Sequence, residues 1–167
     1  IERTAANEIS GMRRTRGWTD NQYVFFVAQF SEPIRTVEFI RDGEAVSADT
    51  KLSGTNLQAV VTFGNANPES GDANLNPVVA KVGLSLVSVE NARENLGQEV
   101  KDFDFDAVCA AARSAWEQEL SSITVEGGST DDKKNFYTAM YHAMVVPNTV
   151  SDVNGEYRRH DMQIARV

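Results

Sequence analysis

The chain has 167 residues, 41% of them hydrophobic and 24% charged, with a formal net charge of −8. That balance describes a globular protein rather than a disordered one, and its acidic excess argues against a nucleic-acid partner, which needs a basic face to release counterions. No run of about 18 apolar residues occurs, so no membrane-spanning helix is expected.

Arg13, Arg14, Arg16 and Trp18 open the chain with a basic and aromatic stretch. Aromatic rings stack on the C–H faces of sugars and guanidinium groups donate to hydroxyls, so a carbohydrate edge is one reading. The other, more usual for tryptophan, is a packing anchor between domains. Tyr23 to Phe30 then alternates aromatic and β-branched residues as a core-facing strand should. Ser31-Glu32-Pro33 breaks it, and Thr36 to Ile40 forms the next strand before an Asp42-Gly43 turn. Leu57–Phe63 and Val78–Val87 read as two further strands, separated by a loop over 64–77 that is crowded with Asn, Gly and Pro. Several strands at this spacing predict an antiparallel β-sandwich.

The second half reads as helix. Ser88 can cap a helix running through Asn95, and Asp104 or Asp106 can cap the next, so the Asp102, Asp104, Asp106 cluster is read as capping. In that helix Val108, Ala112, Trp116 and Leu120 recur as one apolar stripe, and Cys109 is expected as a small buried thiol. Ser129 and Asp132 stand at capping-box spacing before a final helix. There Phe136, Met140, Ala143 and Met144 form one row and Tyr137 and Tyr141 a second, with His142 expected as a core histidine. A surface helix needs one apolar stripe; two predict partners on two sides. The preceding helices cannot cover both, so the chain reads as a segment of a longer protein.

Five stretches together carry a resemblance to a known family. They are Arg14 to Tyr23, Val87 to Ala92, Phe103 to Ala107, Phe136 to His142, and Pro147 to Arg158. In order and over nearly the whole chain, they resemble glycoside hydrolase family 92, the calcium-dependent, exo-acting, inverting α-mannosidases. The resemblance implies an α+β architecture: part of an N-terminal β-sandwich over residues 1–87, a helical linker over 88–128, and the start of an (α/α)6 catalytic barrel over 129–167. It implies a mannose-containing glycan as substrate, α-1,2-linked mannose as its target, and a periplasmic, cell-surface or secreted location in a bacterium. It also implies the remainder of the barrel as the partner of the last helix. Calcium is the implied cofactor of the parent enzyme, with its ligands and the catalytic carboxylates outside this segment. Arg159 departs from a glycine common in the family and Asn154 from an aspartate.

Candidate sites are few. Asp152-Val153-Asn154-Gly155 begins like a calcium loop, but Gln163 stands where that loop needs its glutamate, and Asn-Gly favours a turn. Arg158, His160 and Asp161 form a polar group suited to recognising sugar hydroxyls. With Trp18 and Asp152 they are the substrate-binding candidates; no catalytic or metal-ligating residue is assigned. No Gly-x-Ser-x-Gly elbow and no His or Cys metal spacing occurs. The reading from a different class is a non-catalytic carbohydrate-binding or structural β-sandwich module.

Overall fold

The structure, a computed structural model, describes residues 1–17, 20–64 and 77–167. The chain divides into two compact units, Ile1–Phe103 with Ser151–Val167, and Asp104–Val150. Its antiparallel sheets and helices are those of a β-sandwich followed by a helical segment.

In the first unit, β1 (Glu2–Ala5), β2 (Glu8–Thr15), β3 (Gln22–Phe30) and β7 (Ala80–Ser85) form one antiparallel sheet in that order. A second sheet joins β5 (Glu44–Val46), β4 (Ile34–Arg41) and β6 (Leu57–Phe63). The β4–β5 hairpin turns on Asp42 and Gly43, both at positive φ, which matches the right-handed twist of the flanking strands. The Phe30 and Phe63 rings meet at 4.9 Å between the sheets, and Ile34, Phe39 and Leu52 are buried.

The opposite face of the first sheet carries α1 (Val89–Glu99). Strand register aligns Ser10, Val27 and Gly83, and α1 lays Ala92 and Leu96 over them, so that Val27 and Ala92 are both 0% exposed. Ala92 and Leu96 are four apart and therefore share a helix face. Gly83 permits this approach. A Cβ there would stand 2.2 Å from the Ala92 carbonyl oxygen and 2.6 Å from Leu96 Cβ. Ser88 caps α1, its hydroxyl accepting from the Asn91 amide at 3.0 Å. A short hairpin of β8 (Glu156–Arg158) and β9 (Ile164–Arg166) completes this unit.

In the second unit, α2 (Phe105–Leu120) and α3 (Thr130–Met144) form a helical pair. Asp104 caps α2, accepting from the Ala107 amide, and Ser129 with Asp132 makes a reciprocal capping box on α3. Trp116 meets Tyr141 edge-on at 4.6 Å, and the Tyr137 hydroxyl donates to the Ile123 carbonyl at 3.2 Å. Neither helix buries a residue. Two expectations are corrected here: Cys109 is exposed on α2, neither helix of this unit burying a residue, and His142 is exposed in the last turn of α3 beside the Tyr141 ring.

All seven expected elements are observed, β6 with the expected ends; β7 is shorter than its apolar run, and α1 extends four residues beyond Asn95. Strands β1, β2, β5, β8 and β9 went unpredicted. The expected loop over 64–77 lies, between its two end residues, outside the described residues.

Candidate functional site

The segment after the helical pair returns to the sandwich unit through Asp152. Its side chain is 9% exposed, and both carboxylate oxygens are engaged. Oδ2 accepts from the Ser85 hydroxyl at 2.7 Å and from Asn91 Nδ2 at 2.8 Å, while Oδ1 accepts from Asn95 Nδ2 at 2.7 Å. Asn91 and Asn95 are one helical turn apart, so both reach the same point from α1. Asn95 also accepts from the Val153 amide at 2.9 Å and donates to the Leu84 carbonyl at 2.8 Å. Residues 152–155 form a tight turn, with the Gly155 amide donating to the Asp152 carbonyl and Gly155 at positive φ. The turn reading of the Asn154-Gly155 pair is thus observed.

Beyond that turn, β8 delivers Arg158. Its guanidinium donates from Nε to the Leu86 carbonyl at 2.7 Å and from its two terminal nitrogens to the carbonyls of Val87 at 2.9 Å and Met162 at 3.1 Å. The same group lies 5.3 Å from the Tyr23 ring centroid and 5.9 Å from that of Phe25. Arg158 therefore clips the hairpin to the end of β7 and covers the aromatic face of β3.

A cleft of about 420 Å³ opens beside this clip. Asp20, Asn21, Gln22 and Tyr23 line it from the start of β3; Arg158, Arg159, His160 and Met162 line it from the β8–β9 hairpin. Asn21 Oδ1 accepts from Arg14 Nε at 2.9 Å, which draws a second guanidinium to within 5.6 Å of the Tyr23 ring. The wall combines an apolar floor with carboxylate, amide, guanidinium and imidazole groups, a composition able to bind a polyhydroxylated ring. Asp20 is the one carboxylate among the lining residues. Inverting glycoside hydrolysis uses two carboxyl groups, about 6.5–9.5 Å apart.

The candidate residues thus separate. Arg158 and His160 meet on the cleft wall. Asp161 is not among the lining residues: it pairs with Arg159 at 3.4 Å and accepts from the Gln163 amide at 3.1 Å. Asp152 is buried under the hairpin and does not line the cleft. Trp18 lies outside the described residues. Tyr23, Asp20 and Asn21 were not singled out from the sequence. The available signal was a polar Asp-Asn-Gln triplet feeding directly into an aromatic strand, the place where a strand end meets a loop.

On the same face of the sheet, Glu8 is buried and paired with Arg93 of α1, Nη2 to Oε1 at 2.8 Å. Gln29 and Thr4 donate to the same carboxylate at 2.9 and 2.7 Å. Burial alone would raise the Glu8 carboxyl. The hydrogen bonds from Arg93, Gln29 and Thr4, with the charge of Arg93, outweigh it and hold the group below its ordinary value. Among the described residues no three His, Cys, Asp or Glu side chains are grouped to hold a metal ion.

Comparison with known proteins accounts for both halves of the chain. Residues 1–85 match the glycosyl hydrolase family 92 N-terminal domain and residues 91–166 the catalytic domain of the same family. The structure is similar to a family GH92 alpha-mannosidase from Bacteroides thetaiotaomicron, with 28% identity and a TM-score of 0.84 over 99% of this chain and 22% of that one. That enzyme is also known in complex with mannoimidazole. A family GH92 inverting mannosidase from Bacteroides thetaiotaomicron VPI-5482 shares the fold, with 21% identity, a TM-score of 0.83, and coverage of 96% of this chain and 22% of that one. An uncharacterized secreted glycosidase of Arthroderma benhamiae is 34% identical over 83 residues, 47% of this chain and 10% of that protein. The chain thus spans 22% of the length of the solved relatives and 10% of that of the curated one.

Proposed function

The chain belongs to glycosyl hydrolase family 92, and from that premise we propose that it is a segment of an exo-acting, inverting α-mannosidase that removes terminal α-1,2-linked mannose from glycans. The observation carrying this reading is the order of the two family domains along one chain, together with 99% coverage by an alpha-mannosidase fold at 28% identity. The segment itself contributes part of the sandwich, the linker and the first barrel helix. The general acid, the general base and the calcium ligands lie in the rest of the parent protein. Calcium, when bound there, would polarise and orient the terminal sugar; no step involves it here.

Within the segment, the cleft beside Arg158 is the sugar-facing surface. His160 and Asp20 exchange hydrogen bonds with hydroxyls, and Arg158 keeps the hairpin and Tyr23 in place. Trp18, read from the sequence alone, and Asp161, one residue from His160, are the further candidates for sugar contact in the parent enzyme. The parent acts outside the cytoplasm, in the periplasm, at the surface of a bacterium or secreted from it, where polymeric glycans are met. The name of the secreted fungal relative supports that location, and no helix among the described residues is long and apolar enough to cross a membrane.

The test is release of mannose from α-1,2-mannobiose by the full-length protein, with calcium and with a chelator. Release that needs calcium is the expected result. A folded full-length protein that releases none in either condition overturns the reading. The mix of amide, guanidinium and imidazole groups on the cleft wall supports a second reading of the segment taken by itself, a module that binds mannose oligosaccharides without cutting them. A flat titration of the segment with mannose oligosaccharides would remove that alternative.

A further inference from the structure

We propose that Asp152 is a positioning residue for the sugar cleft: it holds the base of the β8–β9 hairpin so that His160 at its tip stands on the cleft wall. The inference rests on the cleft being the sugar site. Asp152 accepts from three neutral donors that come from two different elements, Ser85 at the end of β7 and Asn91 and Asn95 on α1. No ion pair to it forms among the described residues. A carboxylate has only acceptor sites, which is what three converging donors require. An asparagine at this position would turn an NH2 group toward at least one of them and leave buried donors unmatched.

The consequence is carried to the cleft because the connection is short. From the Asp152 turn, the three residues of β8 lead to the 159–162 turn, in which the Arg159 amide donates to the Gln163 carbonyl and the Met162 amide to the Arg159 carbonyl, both within 3.0 Å. That turn presents Arg159, His160 and Met162 to the cleft. The sandwich core under α1 is a separate apolar cluster of Val27, Ala92 and Leu96. Loosening the hairpin base therefore displaces the cleft wall while leaving the α1 and sheet packing in place.

The experiment is a double-mutant cycle on the full-length protein, reading kcat and KM for α-1,2-mannobiose in the parent protein, Asp152→Asn, His160→Ala and the double variant. Asp152→Asn should raise KM about fivefold with kcat within about twofold, and the KM factor should fall toward one when His160 is already removed. An unchanged KM, or the same factor in both backgrounds, overturns the proposal. If Asp152→Asn does not accumulate as folded protein, Ser85→Ala, which deletes one donor, takes its place in the cycle: a KM factor that falls toward one without His160 supports the proposal, and an unchanged KM or an unchanged factor overturns it. If the parent protein releases no mannose, the sugar reading fails by itself, and hydrogen exchange decides the hairpin claim. Asp152→Asn should then speed exchange of the Arg159 and Met162 amides while β3 and β7 stay unchanged; equal rates at those two amides overturn it.

Discussion

Arg93 on α1 donates to Glu8 on β2 at 2.8 Å, tying the first helix to a strand laid down eighty-five positions earlier. Glu8 is buried, and Gln29 and Thr4 donate to the same carboxylate from β3 and β1. Four elements therefore meet at one carboxylate, and its protonation state governs how well they stay together.

This makes stability sensitive to acid. The Glu8 carboxyl titrates below its ordinary value of 4.5 in the folded protein. Between that lower value and 4.5 the unfolded chain binds a proton that the folded chain does not, so stability rises with pH across that window. The contribution is complete above about pH 4.5 and lost as pH falls through the folded value. Denaturant unfolding of the full-length protein at stepped pH checks it. Glu8→Gln should cost about 1–3 kcal/mol at about pH 7, and the gap to the parent protein should close below the window. A gap that does not change with pH would show that the charge is irrelevant.

A second prediction concerns Gly83. Its missing Cβ is the space occupied by the Ala92 carbonyl, which belongs to helix backbone and cannot swing aside. Gly83→Ala should therefore push α1 off the sheet and cost about 1–3 kcal/mol or more, with Tm falling in thermal unfolding. Gly97 on the same helix has open space around its Cβ position and serves as the control. Gly97→Ala should leave Tm unchanged or raise it, because alanine is the better helix former by about 1 kcal/mol.

The contrast between these elements explains what the sequence revealed. Strands β3, β4 and β6 were legible because aromatic and β-branched residues alternate along them. The caps Ser88, Asp104 and Ser129 were legible because capping is a local hydrogen bond between near neighbours. Strand β2 was hidden because its buried positions are Glu8 and Ser10, polar groups that only partners from other elements make tolerable in a core. Asp152 was singled out from its place in a polar loop, yet its three donors lie fifty-seven to sixty-seven positions away. Contacts of that kind leave no periodic trace in the chain.

Arg158 supplies a third prediction. It uses three nitrogens on three carbonyls and lies over two rings, a task that depends on a planar fork. Arg158→Lys keeps the charge and loses the fork. It should cost about 1–3 kcal/mol and weaken binding of mannose oligosaccharides to the full-length protein, both measurable by calorimetry. A lysine variant that matches the parent in both would show that charge alone suffices.

The last prediction follows from the helical pair. Phe136, Tyr137 and Met140 are only half-buried, and Tyr141 and Met144 are each 41% exposed. Phe105 and Val108 on α2 and Ile123 between the helices are exposed as well, and large apolar side chains exposed together mark an interaction surface. The proposed occupant of that surface is the remainder of the barrel in the parent protein, since this chain covers only 22% of a solved relative's length. Amide exchange should therefore be fast through Phe136–Met144 in the isolated 167-residue chain and slow in the full-length protein. Cys109, exposed here, should lose reactivity toward alkylating agents in step with that protection if the same packing covers α2. Slow exchange across α3 in an isolated chain proven monomeric would mean that the two helices stabilise each other unaided, and the barrel would not be needed to explain their apolar faces.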